Sequence, residues 1–206
     1  RNAIPYLEIR GVDGENIKDI TPQKAREVRA MLDDAGISVW SMGSPIGKIN
    51  LEEDFVAHLD DLRNCLEVAN ILGAKNLRLF SFYMPKNEDP TPYKNAVIDR
   101  MGTFLEVAKG SGVVLCHENE KGIYGDIAPR CLELHEALPE LAGIFDPANY
   151  VQCGQDTLEA WAMLEPYVFY GHIKDSLADG SIVPPGKGIG HIAEYLPKFA
   201  AKGCNV

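Results

Sequence analysis

Tyr6-Leu7-Glu8-Ile9-Arg10, close to the start of the chain, sets apolar Leu7 and Ile9 between Tyr6, Glu8 and Arg10, and the same rhythm returns at Leu77-Arg78-Leu79. A period of two belongs to a strand with one apolar and one polar face. Working outward from Ile4 to Arg10, five more apolar, β-branched or aromatic runs follow: Ile37 to Met42, Asn76 to Phe82, Val113 to Glu118, Ala142 to Asp146, and Val168 to Lys174. Their starts lie about 26 to 39 residues apart, which leaves room for a helix in every gap.

The helices carry their own signals. Thr21-Pro22 offers a cap and a proline at the first helical position, and Gly36 stops that helix. Phe55, Leu59, Leu62, Leu66, Ala69 and Leu72 step by three or four along one face before Gly73. Further helices are predicted near Tyr93 to Ala108, Ile127 to Leu138, Thr157 to Leu164 and Ile192 to Ala201. Strict strand-helix alternation makes a parallel sheet, either open and doubly wound or closed into a (β/α)8 barrel. An open sheet buries both strand faces and reads as almost continuously apolar. The polar faces of the runs at Tyr6 and Leu77, and the lack of a G-x-G-x-x-G after the first run, favour a single (β/α)8 barrel domain over residues 1–206.

With 206 residues, 46% of them hydrophobic, the chain can bury a sizeable core. Thirty acidic against twenty basic side chains give a net charge of −10, which counts against broad nucleic-acid or anionic-membrane binding. Cys65, Cys116, Cys131, Cys153 and Cys204 are odd in number and form no C-x-x-C, as expected for reduced thiols in a cytoplasmic protein. No apolar run approaches the roughly 18 residues of a membrane span. The chain opens on Arg1-Asn2 and stops at Asn205-Val206 where an apolar strand is expected, so the barrel is expected to lack its first and last strands here.

In a barrel, chemistry sits at the carboxyl ends of the strands. The fourth run ends Cys116-His117-Glu118-Asn119-Glu120, the fifth Phe145-Asp146-Pro147-Ala148-Asn149, and the sixth Tyr170-Gly171-His172-Ile173-Lys174-Asp175. Three consecutive strands thus bring Glu118, Asp146 and His172 to one rim. Two carboxylates and an imidazole are costly to desolvate together unless a cation sits between them. Oxygen and nitrogen donors without thiolate fit Mn²⁺, Mg²⁺, Co²⁺ or Zn²⁺.

These runs, together with Pro185-Gly186-Lys187-Gly188-Ile189-Gly190, resemble the sugar phosphate isomerase/epimerase family of xylose isomerase-like barrels over essentially the whole chain. The resemblance implies a divalent metal held by Glu118, Asp146, His172 and a second Glu expected beyond Val206. It also implies that Glu118 serves as ligand and base, with a proton removed next to a ketose carbonyl to give an enediolate. Arg78 and Lys174 are expected to hold the oxygens or phosphate of a small carbohydrate substrate, which Glu8 is expected to contact as well. Where the family commonly has His three residues after the aspartate, this chain has Asn149, whose amide is expected to contact substrate hydroxyls or a bound water.

Other readings stand beside these. Glu8 and Arg10 can simply pair inside the barrel, with each other or with Arg78. By strand alternation His117 points away from Glu118. His58 and His135 are surface or packing residues, His191 caps a helix, and Trp40 and Phe82 are core or pocket wall. The Gly186 to Gly190 loop is an anion-binding helix start, a flexible lid or a simple turn. On the same scaffold the function is alternatively that of a keto-inositol-type dehydratase or a sugar-binding barrel without turnover. An abasic-site nuclease is disfavoured by the charge and by only five histidines. A homo-oligomer is compatible with all of them.

Overall fold

A computed structural model describes residues 4–206. Six parallel strands, β1 (Tyr6–Ile9), β4 (Ser38–Gly43), β5 (Asn76–Leu79), β6 (Val114–Glu118), β7 (Ala142–Phe145) and β8 (Val168–Gly171), lie side by side in that order. Two short antiparallel hairpins, β2–β3 (Gly11–Val12 and Glu15–Asn16) and β9–β10 (Asp175–Ser176 and Ile182–Val183), stand outside the sheet. Helices α1 (Pro22–Ala35), α2 (Phe55–Leu72), α3 (Lys94–Ala108), α4 (Ala128–Ala137), α5 (Pro147–Gln152), α6 (Thr157–Leu164) and α7 (Ile192–Lys202) fill the connections.

Local chemistry sets the helix ends. The Thr21 hydroxyl accepts from the Lys24 amide at 3.1 Å, Pro22 occupies the first turn, and Gly36 ends α1 at φ 68°. Asp54 caps α2 through the Val56 and Ala57 amides, and Gly73 closes it at φ 77°.

The alternation at Leu77-Arg78-Leu79 becomes a division between layers. Leu77 and Leu79 are fully buried on the outer side with Leu62, Leu72, Val97 and Phe104. Complete burial of such a side chain stabilises by about 2 kcal/mol. A second cluster joins Phe145 to Trp161, Tyr195 and Phe199 beneath α6 and α7. On the inner side Cys116, Ile144 and Tyr170 meet Trp40.

The sheet curls. The Tyr170 hydroxyl on β8 donates to Glu8 on β1 at 2.9 Å and lies 3.2 Å from the Ser41 hydroxyl on β4, so the outermost strands face each other across an interior. Curled parallel strands with helices outside are the architecture of the (β/α)8 barrel. Tyr170 also forms a parallel bridge with Asn205.

Several boundaries differ from the sequence reading. The sixth run is strand only to Gly171, leaving His172 to Lys174 in the loop beyond it, and the third ends at Leu79. Beyond Leu79 the amides of Phe80 and Phe82 donate to Ile46 and Gly47 carbonyls, with Phe82 at φ 62°, so tertiary bonds override an apolar run. Helix α5 and both hairpins are additions. Each is too short for periodicity to reveal.

Candidate metal centre and substrate cavity

Glu118 ends β6, and Asp146 and His172 directly follow β7 and β8. Register places Glu118 opposite Ile144 and Phe145 opposite Gly171, so all three side chains reach the carboxyl rim. One potential ligand atom from each lies within 4.8 Å of the others.

Asp146 divides its two oxygens. Oδ1 accepts from the Asn149 amide at 3.0 Å and caps α5, while Oδ2 faces Lys174 Nζ at 2.9 Å and His172 Nδ1 at 3.7 Å. Pro147 at the first helical position fixes the geometry for this cap. Asn119 clamps the Asp146 backbone from both sides, its Nδ2 donating to the Asp146 carbonyl at 3.1 Å and its Oδ1 accepting from the Asp146 amide at 3.0 Å. The carboxylate is thus aimed by bonds that do not depend on a ligand.

Glu118 is 4% exposed, with Oε1 at 2.8 Å from His172 Nδ1 and Oε2 at 3.2 Å from an Arg78 Nη. Arg78, also buried, reaches Glu8 at 3.5 Å and donates to the Gly43 carbonyl at 3.1 Å. Burial disfavours the charged imidazole of His172, but hydrogen bonds to Asp146, Glu118 and Glu8 outweigh it and lift its pKa from 6.5 to about 11. Burial likewise pushes Glu8 up, yet His172, Arg78 and Tyr170 together bring it from 4.5 down to about 2. Asp146 is held below the ordinary carboxylate value because His172 and Lys174 overcome its desolvation. Glu8, Glu118 and Asp146 thus face Arg78, Lys174 and His172 across one network of ion pairs and hydrogen bonds.

A divalent cation suits the same donors. Two hard carboxylate oxygens and one imidazole nitrogen match Mn²⁺, Mg²⁺, Co²⁺ or Zn²⁺, and a cation between them takes over the neutralising role of the imidazolium proton. Glu118, Asp146 and His172 fit such an ion.

Glu118, Asp146 and His172 line a cavity of about 700 Å³ together with Glu8, Arg10, Trp40, Arg78, Tyr170 and Lys174. Its size suits a small ligand.

Asn149 is held at both ends of its amide. Its Nδ2 donates to the Asn119 carbonyl at 2.8 Å and approaches Glu118 Oε1 at 3.5 Å, and its Oδ1 accepts from Lys174 at 2.7 Å. With both ends of the amide engaged and 3% exposure, Asn149 braces the site and does not line the cavity.

Of the readings open for the glycine loop, the bonding favours a turn. The amides of Gly186, Gly188 and Gly190 all donate to the Asp175 carboxylate at 2.8 to 2.9 Å, so the cradle that attracts anions is filled by the chain's own side chain. His191 stands at the start of α7 without a side-chain cap bond, and its Nδ1 pairs with the Thr157 hydroxyl at 2.9 Å. His117 points away from Glu118 to the Ser81 hydroxyl at 3.0 Å, and His58 and His135 are buried packing residues.

Tyr170 and Asn119 were not singled out in the sequence as site residues. Tyr170 shares strand parity with His172, a signal that could have found it. Asn119 gives no local signal, because its role is to hold the backbone of a residue 27 positions away.

Solved structures of similar fold include a D-tagatose 3-epimerase-like protein, 16% identical with TM-score 0.79, over 97% of this chain and 79% of that one. The probable 3-DHS dehydratase AsbF of Bacillus anthracis, involved in petrobactin synthesis, is 17% identical with TM-score 0.75, over 89% and 74%. The IOLI protein with a bound zinc atom is 16% identical with TM-score 0.75, over 97% and 76%. No curated protein matches the chain by sequence. The model of the xylose isomerase-like TIM barrel family matches residues 4–203, and with the curled parallel sheet this places the chain in that family.

Proposed function

We propose that the chain is a divalent-metal-dependent isomerase or epimerase that removes a proton next to the carbonyl of a small ketose. The convergence of Glu118, Asp146 and His172 in a cavity also lined by Arg78 and Lys174 carries this reading. Sugar epimerisation named for a structure of the same fold supports it.

Glu118, Asp146 and His172 would hold the metal, which when bound supplies Lewis acidity toward the carbonyl and the neighbouring hydroxyl. The remaining work falls to the chain's side chains. Glu118 takes the proton from the carbon beside the carbonyl, and its burial keeps competing water away. Arg78 and Lys174, fixed by bonds to Glu8, Glu118, Asp146 and Asn149, present positive charge where enediolate charge develops. Glu8, braced by Tyr170, accepts from a substrate hydroxyl on the opposite wall.

Dehydration of a keto-acid or keto-inositol begins with the same proton removal and then expels a hydroxyl. The likeness in fold to a probable dehydratase keeps this second reading in view.

The test incubates metal-loaded protein with a ketose panel in deuterated water. Deuterium entering the substrate without loss of water supports isomerisation or epimerisation, and net dehydration supports the lyase. Glu118→Gln is expected to lower kcat roughly a thousandfold while circular dichroism stays unchanged. Full turnover by that variant, or failure of the wild type to bind any divalent metal, would refute the proposal.

A further inference from the structure

Among the described residues the two outermost strands of the sheet, β1 and β8, form no ladder with each other, and side chains join them instead. Glu8 on β1 meets Tyr170 within β8 and His172 just past it. Its Oε2 accepts from the Tyr170 hydroxyl at 2.9 Å and stands 3.5 Å from His172 Nε2, while its Oε1 turns to Arg78 at 3.5 Å. Gly43 makes room for this carboxylate, because a Cβ there would stand 2.9 Å from Glu8 Oε1.

The imidazole of His172 presents its two nitrogens to different carboxylates. Nδ1 lies 2.8 Å from Glu118 Oε1 and 3.7 Å from Asp146 Oδ2, on the side of the candidate metal centre, and Nε2 faces Glu8. A neutral imidazole has one proton and one lone pair, so an ion shared with Glu118 and Asp146 takes the lone pair of Nδ1 and leaves the proton on Nε2. Each of the other two residues has a brace of its own. Asn119 and the Asn149 amide aim Asp146, and Arg78 with the Asn149 side chain holds Glu118. His172 sits past the end of its strand, where its amide donates to the Phe145 carbonyl at 3.0 Å, and that backbone bond does not fix the turn of the ring. Glu8 supplies the constraint.

We propose that Glu8 is a positioning residue of the metal centre, its Oε2 accepting the Nε2–H of His172 and so turning Nδ1 toward the ion as the ligand atom. The inference rests on the metal reading above and gives Glu8 a second task, since the substrate contact proposed for it falls to Oε1. A carboxylate behind a ligating imidazole fixes its tautomer and makes the ligating nitrogen more basic. Tyr170 on one oxygen and Arg78 on the other keep the carboxylate from turning away.

Zinc binding to metal-stripped protein is measured by competition with a chromophoric chelator at neutral pH. Glu8→Ala is expected to bind zinc about tenfold to a hundredfold more weakly than the wild type, and Glu8→Gln, which keeps an oxygen to accept from Nε2–H, to recover most of that loss. In the zinc-loaded wild type, nitrogen-15 NMR of the histidines is expected to show His172 bound through Nδ1 and protonated at Nε2, with the Nε2 resonance shifted in Glu8→Gln. The wild-type spectrum needs no variant, so it decides if circular dichroism shows that Glu8→Ala does not fold. Equal zinc affinity in the wild type and Glu8→Ala, the outcome if Glu8 touches only substrate, overturns the proposal, and so does zinc held through Nε2. Both of those results leave the metal reading standing. A wild type that binds no divalent metal removes the metal reading and this inference together.

Discussion

Replacing Asp175 should open the loop of Gly186 to Gly190 without unfolding the barrel. The carboxylate is fully buried, with Oδ2 accepting from the Gly186 and Gly188 amides at 2.9 and 2.8 Å and Oδ1 from the Gly190 and Ser176 amides, each at 2.9 Å. Those amide bonds hold it below the ordinary carboxylate value despite desolvation. A group with a depressed pKa adds stability above its unfolded value and loses it as pH falls through the folded one, so the latch stays closed at neutral pH and yields only in acid. Asp175→Asn keeps one acceptor oxygen but turns an NH₂ toward two amide donors. Two charge-assisted bonds at roughly 1.5 to 3 kcal/mol each are lost, or roughly 3 to 6 kcal/mol before the loop relaxes.

Hydrogen exchange should show where that energy resides. The amides of Gly186, Gly188 and Gly190 are expected to exchange at least about a hundredfold faster in Asp175→Asn, while Leu77 and Leu79 in the core keep their protection. Asp175→Ala leaves the same amides around an empty recess, and added formate should restore part of the protection by occupying it. Unchanged exchange in both variants would refute the view that Asp175 holds this loop. Phosphate protecting the wild-type loop would revive the anion-site reading.

Two other substitutions probe the surroundings of the site. Burial lowers the pKa of His135 from 6.5 to about 4, against a hydrogen bond to the Leu141 carbonyl, so the folded ring is neutral and its contribution is complete above about pH 6.5 and lost toward pH 4. Urea midpoints should show the wild type losing about 3 kcal/mol more than His135→Gln over that interval, and parallel curves would exclude the effect. Tyr170→Phe removes the donor to Glu8 at 2.9 Å, which should cost about 1 to 3 kcal/mol and raise the Glu8 pKa from about 2 when followed by carbon-13 NMR. An unmoved Glu8 titration would show that Arg78 and His172 suffice.

The sequence made strands, helices and rim residues legible because each leaves a local trace. The step of two at Leu77-Arg78-Leu79 records a sheet between an apolar helical layer and a polar interior. The inward direction of Glu8 and Arg78 follows from parity alone. What escaped depends on bonds between distant segments. Nothing near Asn149 shows that Asn119 and Lys174 consume both ends of its amide, and nothing in Gly186 to Gly190 shows that Asp175 fills the loop from 11 to 15 residues back.

The amide of Asn149 and the loop of Gly186 to Gly190 make the same physical point. A buried amide or a ring of backbone N–H groups seeks a partner wherever one is nearest, and a folded chain supplies its own before a ligand arrives. Asn149 and the glycine loop were candidate ligand contacts by residue type, and both are satisfied internally. Arg10, exposed and outside every ion pair among the described residues, is the converse case. Residue type nominates a binding group, and an unmet hydrogen-bonding or charge demand selects it.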